Sequence, residues 1–219
     1  MISGARKVNA ENPQEVESGN AVERTVHFSD AVVAIAITLL TLELRLPEEL
    51  TSGEVPGHLL DTLSGLFAFL VSFWVIASYW VAHHRIFNRI GAHDGALLNI
   101  NFVFLMWVVL VPFTTSMVME YGDSRLVWDV YAAHLLLTGL TLSWLWRYAS
   151  KDEHLIKPNA DLDAPRRYGI NVWGISAVFL LSIVISFFNV DYAQWFLLLL
   201  IPLPALEGPL RRWLAGKIR

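Results

Sequence analysis

The sequence predicts an all-α membrane protein with six transmembrane helices and both termini in the cytoplasm. Three features carry that reading. Of the 219 residues, 55% are hydrophobic and only 16% charged, the balance of a chain whose surface meets lipid. The charges fall in short clusters between long apolar runs, and a hydrocarbon core about 30 Å thick needs roughly 20 apolar residues in a helix. Lysine and arginine are also shared very unevenly among the intervening segments.

The apolar runs cover residues 28–46, 59–82, 97–119, 127–148, 170–190 and 195–214. Pro112 interrupts the third, and Pro202 and Pro204 interrupt the sixth. A proline inside a helix removes one hydrogen bond and crowds the preceding turn, so the sixth run is expected to kink or end early. With the N-terminus inside, fourteen of the sixteen basic residues fall on the cytoplasmic side, leaving only Arg45 and Arg125 outside. Cytoplasmic loops are enriched in these residues. The outer segment 47–58 carries Glu48, Glu49 and Glu54 and no basic residue. Residues 1–22 read as a polar, disordered cytoplasmic tail without the apolar core of a signal peptide. Residues 23–215 form the membrane domain and 216–219 a short cytoplasmic end.

Tryptophans 128, 146, 173, 195 and 213 fall near span ends, where an amphipathic ring suits the headgroup region. Trp74, Trp80 and Trp107 fall inside spans, and helix packing is the plainest account of Trp74 and Trp107. The small net charge of −4 gives no footprint for nucleic acid. Absence of cysteine excludes disulfides, thiolate metal sites and thiol catalysis. No two histidines stand three or four apart, so no helical metal pair is expected. Ser29 or Ser72 with His83 or His84 are the best candidates for a nucleophile and base, but no catalytic motif surrounds them. No enzyme, cofactor or small-molecule substrate is expected.

The unusual chemistry lies at the head of the first run. Arg24, Ser29 and Asp30 sit at the cytoplasmic mouth of an apolar helix, where an ionisable group is costly unless paired or wetted. Either Ser29 or Asp30 suits an ordinary helix cap. Beyond them Ile35, Thr38, Leu39 and Leu42 recur at helical spacing along one stripe. That stripe either packs on a neighbouring helix, with Thr38 bonded to its own backbone, or faces an axis shared by several copies. In the second case it makes a narrow apolar constriction with a ring of hydroxyls, which gates by dewetting and replaces part of an ion's hydration. On the second run Trp80 and His84 share a face, and Asn101 enters the third run from the same side. With Arg24, Ser29 and Asp30 they compose either an inter-helix clamp or a pH-sensitive element of an ion pathway.

At these positions the chain resembles the transmembrane protein 175 family of endolysosomal potassium channels and their prokaryotic homologues. The resemblance rests on Arg24-x-x-x-Phe28-Ser29-Asp30 followed by Ala34-Ile-Ala-Ile-Thr-Leu-Leu-x-Leu-Glu43. It extends to Tyr79-Trp-x-x-His83-His-Arg85, to Asn101 and to Val111-Pro-Phe-Thr114. It covers the first half of the chain, the second half matching in hydropathy alone. The resemblance implies a homotetramer of six-helix subunits whose first helices line a central pore conducting K+. It implies that Ile35, Leu39 and Leu42 form the constriction, with Thr38 as a polar layer. It also implies that Arg24, Phe28, Ser29 and Asp30 pack against Trp80, His84 and Asn101. One copy of six spans is the prokaryotic arrangement, so a bacterial plasma membrane is the implied location. The sequence has no Thr-Val-Gly-Tyr-Gly filter and no arginine-repeat voltage sensor. A proton-coupled or proton-conducting transporter is the nearest rival, since intramembrane Asp and His suit proton movement, and a passive scaffold is another.

Overall fold

A computed structural model describes residues 13–44, 55–151, 155–157, 160 and 170–197. The first helix, α1 (Pro13–Leu39), tightens into a 3-10 turn over Leu40–Glu43. It is followed by α2 (Val55–Phe87), α3 (Gly95–Tyr121), α4 (Arg125–Ser150), α5 (Ile170–Ser186) and a short α6 (Val190–Phe196). Among the described residues the only strand-like feature is an isolated antiparallel bridge between Ile90 and Ile156. Among the described residues, four helical stretches are long and apolar enough to cross a membrane: Gly19–Glu43, Gly65–Phe87, Gly95–Tyr121 and Arg125–Ser150. Gly174–Ser186 is a shorter apolar helix. This is an all-helical membrane fold.

Three boundaries differ from the sequence expectation. The first helix begins at Pro13, so residues 13–22, expected as part of a disordered tail, are helical. Proline suits the first helical position because its missing N–H has no partner there anyway. Hydropathy marks where a helix meets lipid, not where it starts. The fifth run stops at Ser186, and Val190 opens the next helix because Asn189 caps it, its side chain accepting from the Tyr192 N–H at 2.9 Å. The sixth run, 195–214, lies outside the described residues beyond Leu197, and Pro202 and Pro204 fall in that part.

The described bundle is held by α3 against α4, α4 against α5, and α1 and α2 against α3. Because lipid offers no hydrogen-bond partners, polar side chains on these faces must satisfy one another. Ser72 of α2 meets Thr115 of α3 at 2.8 Å and Tyr131 of α4 at 2.9 Å. The Tyr79 hydroxyl donates to the Leu135 carbonyl at 2.7 Å. Helix α3 continues through Pro112, next to which His134 donates from Nε2 to the Trp107 carbonyl at 2.9 Å and receives the Thr114 hydroxyl on Nδ1 at 2.8 Å. A carbonyl only accepts, so Nε2 carries the proton and Nδ1 is the acceptor. Trp128, expected in a headgroup belt, is only 2% exposed and donates to Ser182 at 3.1 Å. Its position near a span end fixes its depth but not its direction. Trp74 is 41% exposed, so packing within the subunit covers only part of it.

The α2–α3 loop and the segment after α4 meet on one side of the bundle. The Gly91 N–H bonds the Leu155 carbonyl and the Lys157 N–H bonds the Arg89 carbonyl, each at 2.9 Å. Asp94 caps α3 by accepting from the Leu97 N–H at 2.8 Å, and its other oxygen accepts from the Tyr148 hydroxyl at 2.7 Å. At the opposite end Arg125, one of the two basic residues assigned outside, bonds Asp129 at 3.3 Å and lies 3.5 Å above the Phe187 ring.

Gly139 marks the closest approach of α4 to its neighbours. A Cβ added there would stand 2.6 Å from Ser176 Oγ and 2.9 Å from the Tyr79 hydroxyl oxygen. Serine can rotate away, but Tyr79 is held on the Leu135 carbonyl. Gly139→Ala is therefore expected to lower stability by about 1–3 kcal/mol, the usual scale of overpacking. Thermal unfolding of detergent-solubilised protein tests this, with Gly95→Ala, where a Cβ meets nothing within 4 Å, as the control.

Candidate functional site

Thr25 and Ser29 stand four apart on α1 and share a face toward α3. The Ser29 hydroxyl donates to the Thr25 carbonyl at 2.9 Å. Its proton thus engaged, Ser29 Oγ accepts from Asn101 Nδ2 at 3.0 Å. That orients the amide and leaves Asn101 Oδ1 to accept from His83 Nε2 at 2.8 Å. The order of donors fixes the histidine tautomer: Nε2 carries the proton and Nδ1 is bare. Ser29, His83 and Asn101 are fully buried, and the imidazole lies 5.3 Å from the Phe104 ring, nearly parallel to it, and 4.4 Å from Phe87. His83 Nδ1 has no partner in this enclosure.

One residue further round α1, Asp30 turns to α2 and accepts from the Trp80 indole N–H at 2.8 Å. Phe28 meets Phe102 edge to face at 6.0 Å. Lower on α1, Thr25 Oγ1 lies 3.2 Å from His93 Nε2 in the α2–α3 loop. Asn101 thereby joins α1 to α2, Asp30 joins α1 to α2 a second time, and Thr25 ties α1 to the loop. Since α1 starts at Pro13, neither Ser29 nor Asp30 is a helix cap. Their side chains serve cross-helix contacts.

Of the residues picked out by sequence, Ser29 meets Asn101 and Asp30 meets Trp80, while Phe28 meets Phe102, the residue after Asn101. His84 is next to Trp80, with ring centroids 5.6 Å apart, but it does not reach Asn101. The adjacent His83 does; the sequence marks it as part of the Tyr79-Trp-x-x-His83-His-Arg85 motif and as a candidate base, but places His84 in the cluster. Two neighbouring helical residues point about 100° apart, and a lone sequence does not say which faces inward. Arg24 is exposed and stands apart from these bonds. Ser72 is engaged with Thr115 and Tyr131, and the Ser29 proton goes to a carbonyl. Neither serine donates to a histidine as a nucleophile would.

Among the described residues, the stripe beyond Asp30 lies on an exposed face of α1. Ile35, Leu39 and Leu42 are 59%, 38% and 53% exposed, and Thr38 is exposed with them. Val33, Ala36 and Leu40 on the opposite side are buried in the core. Thr38 Oγ1 donates to the Ile35 carbonyl at 2.8 Å. The backbone bond expected of Thr38 is thus present, whereas the neighbouring helix that would have covered the stripe is not found among the described residues.

The fold and the site together define an all-helical membrane protein whose first helix is clamped at its polar head and bare along one apolar face. Comparison with known proteins is specific on this point. Residues 24–112 match the family model described as the endosomal/lysosomal potassium channel TMEM175. A protein of Chamaesiphon minutus named a potassium channel is 38% identical over 157 residues, covering 69% of this chain and 75% of that protein. The human protein named endosomal/lysosomal proton channel TMEM175 is 25% identical over 191 residues, covering 83% of this chain but only 37% of its own length. Among solved structures, a lysosomal potassium-selective channel TMEM175 homologue from Chamaesiphon minutus superposes with a TM-score of 0.71 at 31% identity, covering 86% of this chain and 98% of that one. The chain belongs to the TMEM175 family.

The bridge through Asn101 has a measurable signature. Asn101→Leu leaves the buried His83 N–H without an acceptor, a loss of about 1–3 kcal/mol. Pairing it with His83→Phe removes donor and acceptor together and is expected to recover part of that loss. Thermal unfolding of the two single variants and the double variant would return additive losses if the bridge carried no energy.

Proposed function

We propose that the chain is one subunit of a potassium-permeable channel, in which the first helices of four identical copies surround the pore. The observation that carries this reading is the bare face of α1. A membrane helix whose Ile35, Thr38, Leu39 and Leu42 are exposed on one face is suited to facing an axis shared with its copies. The potassium-channel names of the bacterial relative and of the matching structure support the same reading.

In this arrangement Ile35, Leu39 and Leu42 form an apolar constriction that dewets to close, and Thr38 supplies a layer of hydroxyl oxygens that take over part of the hydration shell of K+. The cluster of Ser29, Asp30, Trp80, Asn101 and His83, with Phe28 and His84 beside it, sets the rotation of α1 so that the stripe faces the axis. Arg24, exposed in the single subunit, stands at the cytoplasmic mouth. Each subunit has six spans with both termini in the cytoplasm of a prokaryotic cell, and the basic residues of the α2–α3 loop and of the segment after α4 share that side. Conduction is passive, through the protein pore across the lipid bilayer, with no cofactor. The proton-channel name of the human relative supports a second reading, proton conduction by the same path.

Potassium flux into proteoliposomes of purified protein, with sodium as the comparison and no proton gradient, tests the proposal. Flux preferring potassium is expected. Leu39→Asn and Ile35→Asn are expected to raise it by wetting the constriction. Unchanged current in both polar variants would remove the assigned gate, and acidification of the lumen without potassium movement would favour the proton path.

A further inference from the structure

The exposed face of α1 carries a second hydroxyl that the stripe read from sequence omits. Thr41 lies in the 3-10 turn Leu40–Glu43 and is exposed, like Thr38. In a regular α-helix Thr41 would lie about 60° round from Thr38. Residues in a 3-10 turn step about 120° instead of about 100°, so the tightening that begins at Leu40 turns Thr41 part of the way back toward the line of Thr38. Leu40, the residue between them in the turn, is fully buried. The turn is thereby anchored with Thr41 on the uncovered side.

The orientation of the two hydroxyls is also alike. Thr41 Oγ1 donates to the Thr38 carbonyl at 2.7 Å, just as Thr38 Oγ1 donates to the Ile35 carbonyl at 2.8 Å. With its proton spent on the backbone, each oxygen has only acceptor lone pairs left to present outward. A cation needs that polarity. A hydroxyl whose proton faced the exposed side would repel one.

We propose that Thr41 is an ion-facing position, forming with Thr38 two successive hydroxyl layers that discriminate among monovalent cations. This rests on the reading of α1 as the pore helix. Two layers one turn apart offer a partly dehydrated ion oxygen contacts at successive positions, so an ion leaving the Thr38 layer outward meets oxygen again before the Leu42 side chains. The second layer depends on the 3-10 turn as much as on the threonine itself.

The test is the reversal potential under opposed potassium and sodium in planar bilayers, for the full chain and its variants. Thr41→Val keeps shape and removes the oxygen, and is expected to lower the potassium-to-sodium permeability ratio about threefold, the scale of one modest hydrogen-bonding contact. Thr41→Ser, which restores the oxygen, is expected to keep the wild-type ratio. A merely structural hydroxyl would change the melting temperature and leave the ratio alone. A wild-type ratio in Thr41→Val, alongside a reduced one in Thr38→Val, overturns the second layer while leaving the channel intact. If Thr41→Val fails to assemble, the smaller Thr41→Ala carries the same expectation. A wild-type protein that passes no potassium overturns the channel reading, and this inference with it.

Discussion

A single amide organises the half of the described bundle around the head of α1. Asn101 gives one proton to Ser29 and receives one from His83, so α1, α2 and α3 meet at one fully buried residue. Between apolar helices in lipid, dispersion alone fixes neither rotation nor height, because one apolar face is nearly as acceptable as another. A chain of bonds running from His83 through Asn101 and Ser29 to the Thr25 carbonyl has one satisfied arrangement. It sets how α1 is turned, and hence which of its residues are left bare.

Polar side chains repeat this role elsewhere, each between a different pair of helices. Ser72 joins α2 to α3 and α4, His134 spans α4 to the Pro112 region of α3, and Trp128 reaches α5 through Ser182. Each donor here has an acceptor on another helix, which makes the contacts directional as well as adhesive. Among the described residues, three buried polar atoms have no hydrogen-bond partner: His83 Nδ1, His84 Nδ1 and Ser176 Oγ. Close packing supplements the bonds where backbone must approach, as at Gly139.

Much of this was legible in the sequence because membrane chains carry coarse signals. Run length and composition gave the helices, and the cluster from Phe28 to Asp30 marked the place where polar chemistry enters the membrane. Rotation was harder to read. His83 and His84 are chemically identical neighbours, and the partner that distinguishes them is Asn101, far along the chain. Trp128 looked interfacial because depth follows from position in a run, whereas its burial follows from the approach of Ser182. The helical start at Pro13 was invisible to hydropathy because residues 13–27 are polar. Asn189 carried a legible cap signal that a continuous apolar reading passed over. The stripe on α1 was legible as a period but not as an exposed face, since coverage depends on where α2 and α3 lie.

The grip on α1 is lopsided along its length. Hydrogen bonds from Thr25 to the α2–α3 loop and from Ser29 and Asp30 to neighbouring helices hold one half, while Val33, Ala36 and Leu40 anchor the other by apolar contact. Apolar contacts resist separation but slide at little cost, whereas directed bonds must break before they shift. Helix α1 is in this sense a cantilever, fixed at its polar root and compliant toward its tip. A small lateral force therefore displaces the far end most, where the helix has already tightened into its 3-10 turn.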